Sequence, residues 1–153
     1  MTVNVVKIKE QGGPEVMQWE KVDLPKPEPL QIKIKHTAVG LNYIDTYHRS
    51  GLYPLSTPSG LGMEGAGIVE EKGSEVSDLS VGDRVVYAAA PPGSYSEARL
   101  MPADKAIKIP DEISDETAAS IMLKGMTTQY LIRRTFKVEK GHKVLFHAAA
   151  GGV

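Results

Sequence analysis

Apolar and polar residues alternate in short runs over the first forty positions of the chain. Val3, Val5 and Ile8 lie in one such run, and the segment VMQWEKV returns after the turn GGPEV. The segment QIKIKHTAVG alternates again. A period of two residues is typical of a half-buried β-strand. These three runs therefore predict three strands, and the third is expected to direct its lysines toward water.

The alternation continues to about residue 110, with one interruption. The segments AGIV, DRVVY, EARLMP and AIKIP are bounded by glycine and proline turns, which brings the count to about seven short strands. Evenly spaced short strands with turn signals favour a small barrel or sandwich. The interruption, LNYIDTYHRSG, predicts one or two helical turns that end at Gly51.

Beyond Ile113 the pattern becomes helical. Ser114 is a suitable N-cap, two acidic residues follow it in the first turn, and Gly125 is the predicted end of that helix. A second helix is predicted over residues 126–138, and the apolar run at 144–146 predicts a strand. We therefore expect two domains, residues 1–124 and residues 125–153.

Composition excludes several classes of protein. The 153 residues are 41% hydrophobic and 24% charged, with a net charge of −1 and no basic block, which argues against a nucleic-acid partner. The chain has no cysteine, so it forms no disulfide and no thiolate zinc site. No apolar stretch approaches the roughly 20 residues of a membrane span, and the N-terminus lacks the apolar core of a signal peptide. We expect a cytoplasmic protein without a membrane partner.

The segment HAAAGGV at the end of the chain follows the predicted strand, as phosphate-binding turns do. In the pattern G-x-G-x-x-G, Ala149 would take the place of the first glycine and Gly151 that of the second, while the third would fall at position 154. A strand that ends in alanine and glycine is also typical of an ordinary turn. The motif alone does not define a cofactor.

Longer segments carry a more specific signal. GLNYIDTYHRSGLYP, MLKGMTTQYL and HAAAGGV closely resemble the zeta-crystallin-like quinone oxidoreductases of the medium-chain dehydrogenase/reductase superfamily. The resemblance covers essentially the whole chain. It implies a mainly β fold: a GroES-like β-barrel domain, then two helices and the first strand of a truncated Rossmann α/β domain. It also implies chains of about twice this length.

The same resemblance implies an NADPH-dependent reduction of quinones, or of other small electrophilic substrates, by a full-length enzyme that is a homodimer. A one-electron and a two-electron reduction are both found in the family. Zinc enzymes of the superfamily have Cys where Asn42 stands and His where Met63 stands. Neither residue present here is a zinc ligand, so we expect a zinc-independent member with no metal site. This fragment alone is expected to be inactive.

Residue roles follow from the resemblance as expectations. The predicted catalytic residues are Asn42, Tyr53 and Thr127. The predicted cofactor-binding residues are Tyr43, Ile44, Asp45, Thr46, Tyr47, Tyr130, Gly151, Gly152 and Val153.

Each of these residues also has a structural alternative. Asn42 suits a helix N-cap, and Asp45 suits the first turn of the same helix. Tyr53 and Tyr130 are equally typical of tyrosines that cover a core, and Thr127 of a threonine that bonds its own helix. Two neighbours of the predicted site carry the same ambiguity. Glu64 is interpreted as a buried structural carboxylate, and Lys124 as a surface lysine.

Two other functions remain open on the sequence. One is an NADPH-dependent enone or alkenal reductase, which uses the same fold and cofactor on a polarised C=C bond. The other is a GroES-like module without catalysis. An RNA-binding role is known in relatives, but the near-neutral charge does not favour it.

Overall fold

A computed structural model describes all of residues 1–153, which form eight strands and two α-helices. The strands are β1 (Thr2–Ile8), β2 (Gln18–Asp23), β3 (Gln31–Gly40), β4 (Ser59–Gly60), β5 (Glu64–Lys72), β6 (Arg84–Ala88), β7 (Ala98–Pro102) and β8 (Ile107–Lys108). The helices are α1 (Tyr43–Ser50) and α2 (Asp115–Tyr130), and a π-helical turn, Leu131–Thr135, follows α2.

The strands form two antiparallel sheets. The smaller has the order β2-β1-β4 and the larger the order β7-β3-β5-β6-β8. An isolated bridge between Val5 and Ser96 links β1 to the segment just before β7. The mainly β class is confirmed, but the predicted barrel is wrong in one respect. The sheets remain open, because β7 and β8 lie at opposite edges of the larger sheet and do not pair.

The core lies on one face of the larger sheet and follows the alternation of the sequence. Ile32 and Ile34 are fully buried, in contact with a cluster completed by Val69, Val76, Leu79, Val85, Tyr87 and Met101. The expectation that the lysines of β3 face water is wrong for Lys33, which is 4% exposed. Its ammonium group pairs with Glu71 and lies 3.9 Å from Glu70. These carboxylates offset part of the cost of burying the charge.

Helix α2 covers the other side of the larger sheet and begins as predicted. The Ser114 hydroxyl accepts from the Thr117 N–H at 3.2 Å, and the Arg84 guanidinium donates to Asp115 at 2.7 Å. Ala118 and Ala119 are buried on the sheet, in a cluster with Ala66, Val86 and Ile109. Small side chains at these positions let the helix backbone lie close to the strands.

Two predictions for the last third of the chain are wrong, the helix end at Gly125 and the strand at 144–146. Gly125 does not end the helix, because it has no left-handed φ; α2 runs through it to Tyr130 and the π turn ends at Thr135. The run 144–146 is not a strand, since no other strand lies beside it to pair with its N–H and C=O groups. Leu145 is 82% exposed.

The division of the chain at residue 124 stays a prediction. Neither α-helix has both the length and the apolar character that crossing a bilayer requires.

The half-buried His36 lies on β3 of the larger sheet. Two bonds hold the His36 ring, one between Nδ1 and the Ser96 carbonyl (2.7 Å) and one between Nε2 and the Tyr87 hydroxyl (2.8 Å). Burial lowers the pKa of His36 to about 4; the Ser96 carbonyl opposes this shift and the Arg99 guanidinium adds to it. The imidazole is therefore neutral in the folded chain at pH 7.

Glycine at position 40 is required by a close approach. A methyl group there would overlap the Ala119 carbonyl of α2 and the Glu64 carboxylate, whereas at Gly125 it would meet no atom within 4 Å. We expect Gly40→Ala to lower the free energy of unfolding by about 3 kcal/mol, and Gly125→Ala to raise it by about 0.5–1 kcal/mol. Urea unfolding measures both. Equal effects of the two substitutions would contradict the packing described for α2.

The low pKa of His36 predicts a pH-dependent stability. Between pH 6.5 and 4 the unfolded chain binds a proton at this residue and the folded chain does not, so the free energy of unfolding falls as the pH is lowered. The contribution of His36 to that fall is on the order of 3 kcal/mol. Urea unfolding at pH 7 and pH 4.5 should show a shallower dependence for His36→Gln than for the wild type. His147→Gln, at an exposed residue, is the control and should keep the wild-type slope.

Candidate active site

The site begins where β3 passes into α1. Asn42 has an extended backbone (φ −128°, ψ 148°) and is the N-cap of the helix, and its N–H donates to the Asp45 carboxylate at 3.0 Å. Gly51 ends the helix with a left-handed φ of 82°, as predicted. The cap interpretation of Asn42 is therefore correct for its backbone.

The amide nitrogen of Asn42 bonds a different element. Its amide nitrogen donates to Glu64 Oε2 at 2.7 Å, and Glu64 Oε1 accepts from the Leu123 N–H at 2.7 Å. Glu64 is fully buried at the start of β5, and Asn42 is 7% exposed. One carboxylate thus joins the N-terminus of α1, the larger sheet and the middle of α2. We call Asn42, Glu64 and Leu123 the Glu64 cluster.

Thr127 lies one helical turn beyond this cluster. Its hydroxyl donates to the Leu123 carbonyl at 2.9 Å, so the two ends of a single residue, Leu123, contact Glu64 and Thr127. The structure therefore connects two of the three predicted catalytic residues, Asn42 and Thr127, through groups that belong to three different elements. The Thr127 hydroxyl bonds its own helix, as its structural alternative proposed.

Three tyrosine rings form a row along α1 and the loop after it. Tyr43 contacts Tyr47 edge to face, with 5.2 Å between ring centroids, and Tyr47 contacts Tyr53 at 5.1 Å. Tyr43 is 75% exposed and Tyr53 46%. We call these residues the tyrosine row. Aromatic faces that are open to solvent offer a stacking surface to a flat ligand, and the hydroxyl of Tyr53 offers a donor.

The remaining α1 residues differ in their surroundings. Ile44 and Thr46 are half-buried, and the Thr46 hydroxyl donates to the Tyr43 carbonyl at 2.7 Å. Asp45 is 3% exposed, and its Oδ2 also accepts from the Tyr95 hydroxyl at 2.7 Å, while its Oδ1 has no partner. Burial and the Asp45 carboxylate raise the pKa of Tyr95. Sequence reasoning missed Tyr95, because no local pattern links positions 45 and 95.

The other predicted cofactor residues lie on or beside α2. Tyr130 is 54% exposed and lines a shallow apolar groove with Ile121, Met122 and Met126. In the glycine-rich end, the Gly151 N–H donates to the Ala148 carbonyl at 2.7 Å and closes a turn. The aliphatic part of Lys124 lies against Gly152. The glycine turn therefore lies beside the residue that follows Leu123.

Cavity size does not locate the site. A cleft of about 770 Å³ is lined by residues of the 28–31, 75–79 and 102–106 segments and includes none of the predicted site residues. It lies where the loops around β7 meet those that follow β5. We base the site on the Glu64 cluster and the tyrosine row instead, since these combine buried polar groups with exposed aromatic surface.

No group of three or more histidine, aspartate and glutamate side chains is arranged to hold a metal ion. The Asn42 amide bonds Glu64, and the His48 ring lies 6.3 Å from the Tyr53 ring, centroid to centroid, with its buried Nδ1 unbonded.

The fold and the site together define a class of protein. Residues 28–111 match the model of the alcohol dehydrogenase GroES-like domain, which is more than half of the chain. The chain belongs to this family. The matched segment contains β3, α1 and β5, and therefore both Asn42 and Glu64.

Within that class, the chain is similar to particular oxidoreductases. It is 53% identical over 143 residues to a quinone oxidoreductase of Pseudomonas aeruginosa, covering 93% of this chain and 44% of the relative. It is 47% identical over 152 residues to a 2-haloacrylate reductase of a Burkholderia species, covering 95% and 46%. The crystal structure of an Escherichia coli quinone oxidoreductase complexed with NADPH superposes with a TM-score of 0.86 and 46% identity, over 89% of this chain and 42% of that one. The chain spans less than half the length of each.

The contact between Tyr95 and Asp45 predicts that removing the Tyr95 hydroxyl destabilises the fold more than removing the Tyr43 hydroxyl. We expect Tyr95→Phe to lower the free energy of unfolding by about 1–2 kcal/mol, because the buried Asp45 carboxylate loses one of its two donors. Tyr43→Phe removes a hydroxyl from an exposed ring and should change the free energy of unfolding by less than about 0.5 kcal/mol. Thermal or urea unfolding of the two variants is the measurement. A larger loss in Tyr43→Phe would contradict the hydrogen bond to Asp45.

Proposed function

We propose that this chain is the substrate-side part of an NADPH-dependent quinone reductase. One observation carries the proposal: the Asn42 amide, held by the buried Glu64 carboxylate, lies at the N-terminus of the short helix along which the exposed row of tyrosine rings begins. That combination suits the reduction of a flat ring that bears carbonyl groups. The similarity to a quinone oxidoreductase over 93% of the chain supports the same choice.

The chemistry of the residues fits this reaction. A quinone ring stacks on aromatic faces, and its carbonyl oxygen gains charge during reduction and requires a hydrogen-bond donor. In our proposal Tyr53 supplies the stacking surface and the donor, since its hydroxyl is part of a side chain that is 46% exposed. Asn42 and Thr127 fix the orientation of the reacting partners, because the Glu64 cluster connects them.

Residues along the same surfaces are suited to hold NADPH, which supplies the hydride when it is bound. Gly151, Gly152 and Val153 are exposed, and the absence of side chains at the two glycines lets a pyrophosphate approach the backbone. Tyr130 offers an exposed ring on α2, the helix whose Lys124 lies against Gly152. The α1 residues Tyr43, Ile44, Asp45, Thr46 and Tyr47 stay in the proposal as the nicotinamide side of the site. The Escherichia coli quinone oxidoreductase that this chain resembles is complexed with NADPH.

The reaction is proposed to need no zinc ion. The basis is the identity of the residues: an amide at position 42 that is bonded to Glu64, and a thioether at position 63. Thiolate, imidazole and carboxylate groups are the ligands that zinc prefers in proteins. A homodimeric full-length enzyme, a cytoplasmic location and the absence of nucleic-acid and membrane partners also stay predictions of the resemblance.

The second candidate is the reduction of an electron-poor C=C bond. It is favoured by the 47% identity to a 2-haloacrylate reductase, over nearly the same span. Such a substrate is small and carries a carboxylate, so it gains little from stacking on the tyrosine row. A GroES-like module without catalysis is the third alternative.

A chimera tests these alternatives directly. Residues 1–153 would replace the matching part of the Escherichia coli quinone oxidoreductase, and NADPH oxidation would be followed with 1,4-benzoquinone and with 2-chloroacrylate. We expect turnover with the quinone to be at least about tenfold faster, because only the quinone stacks on the tyrosine row. Faster turnover of the acrylate would favour the second candidate. A folded chimera that is inactive with both would favour the non-catalytic module.

Substitution of Asn42 tests the site within the chimera. We expect Asn42→Ala to lower kcat/KM for the quinone by about 10- to 100-fold, since one positioning contact is lost. Asn4→Ala is the matched control, because its amide bonds Glu97, the residue before β7, and it should leave kcat/KM unchanged. Equal activity of the two variants would remove Asn42 from the proposed site.

A further inference from the structure

Glu64 is a buried carboxylate without a cationic partner. It is fully buried, and no lysine, arginine or histidine lies within ion-pair distance of it. Its two oxygens accept one hydrogen bond each, from the Asn42 amide nitrogen and the Leu123 N–H. Burying such a group is expensive, and a hydrophobic residue of similar size at this place in a core would cost less. The burial of Glu64 without a cation therefore indicates that this residue has a role beyond packing.

We infer that Glu64 is a positioning residue, which fixes the orientation of the Asn42 amide and its placement relative to Thr127. This inference rests on the proposed function, in which both residues act on the bound reactants. An amide has two different ends, a nitrogen that only donates and an oxygen that only accepts. Because Glu64 presents an acceptor, the nitrogen of Asn42 faces it and the oxygen lies on the side away from it.

The placement relative to Thr127 follows from the second oxygen of Glu64. That oxygen accepts from the Leu123 N–H, and the carbonyl of the same residue accepts from the Thr127 hydroxyl. Asn42 and Thr127 are 85 positions apart in sequence, and the cluster connects them by three hydrogen bonds of 2.7, 2.7 and 2.9 Å. The close approach of Gly40 to both Glu64 and α2 leaves no room for this arrangement to shift.

The requirement for a carboxylate can be tested with an isosteric change. In Glu64→Gln only one end of the side chain accepts, so one of its two donors must lose its acceptor. The Leu123 N–H belongs to a helix backbone and cannot turn, whereas the Asn42 amide can rotate by half a turn about its last bond. We therefore expect the glutamine oxygen to stay on Leu123 and the Asn42 amide to invert, with its oxygen toward the glutamine nitrogen.

Nuclear magnetic resonance of the 153-residue chain provides a readout that needs no activity. In the wild type, the side-chain NH₂ of Asn42 should be protected from exchange by its bond to Glu64. In Glu64→Gln we expect at least about tenfold faster exchange of that group and a loss of its contacts to Glu64. Glu112→Gln is the matched control at an exposed glutamate and should leave the Asn42 signals unchanged. An unaltered Asn42 amide in Glu64→Gln would overturn the inference.

The chimera then measures the consequence for catalysis. Glu64→Gln should lower kcat for the quinone about tenfold with a smaller change in KM, because the tyrosine row still binds the substrate. An inverted amide combined with an undiminished kcat would also overturn the inference. If the unsubstituted chimera has no reductase activity, the proposed function fails, while the exchange measurement still decides whether Glu64 orients Asn42.

A paired substitution covers the case in which Glu64→Gln does not fold. Asn42→Asp combined with Glu64→Gln exchanges donor and acceptor, so that the glutamine nitrogen donates to the new carboxylate and its oxygen still accepts from Leu123. Where Glu64→Gln does not fold, we expect this double variant to fold, with the protected NH₂ signal now belonging to residue 64. A double variant that is also unfolded, or whose NH₂ at residue 64 exchanges as fast as an exposed amide, would contradict the pairing of positions 42 and 64.

Discussion

A carboxylate that is removed from water at Glu64 is the constraint on which the geometry of the site depends. Desolvation of such a group costs several kcal/mol unless donors replace the lost water. Here the donors come from the N-cap of α1 and from the middle of α2, so the two helices are held where those donors reach the two oxygens. The position of Asn42 is thereby tied to that of α2 instead of depending on the loop between β3 and α1.

The sheet makes this arrangement possible through residues that have little side chain. Gly40 ends β3 directly below α2, and Ala118 and Ala119 form the contact surface of the helix. Close backbone approach brings the Leu123 N–H within reach of a glutamate that begins β5. A larger residue at any of these places would move the helix outward and leave the carboxylate without its second donor.

Sequence patterns could predict the parts of this structure that depend on near neighbours. The alternation around Ile32 and Ile34, the cap at Ser114 and the helix end at Gly51 were all predicted, since each follows from local geometry. The predictions for Lys33, Gly125 and the run 144–146 were wrong. The Lys33 ammonium group pairs with a carboxylate on the neighbouring strand, which sequence patterns do not reveal. The helix continues through Gly125 because the residues that flank it are helical, and an isolated apolar run has no strand to pair with. Likewise, the bonds of Glu64 to residues 22 and 59 positions away have no local signature.

The contrast between the buried polar cluster and the exposed aromatic row bears on the choice of substrate. The chain is about equally similar to a relative named for quinones and to one named for 2-haloacrylate, so overall identity does not separate the two. In the proposed function the Glu64 cluster serves either reaction, because it orients the Asn42 amide whichever acceptor is bound. In the proposed function Tyr43 and Tyr53 separate them, because a larger flat ring gains more from stacking on their exposed faces than a small acrylate does. A preference for a quinone would then come from the tyrosine row on the surface of α1. The orientation of the Asn42 amide would come from the buried Glu64 cluster.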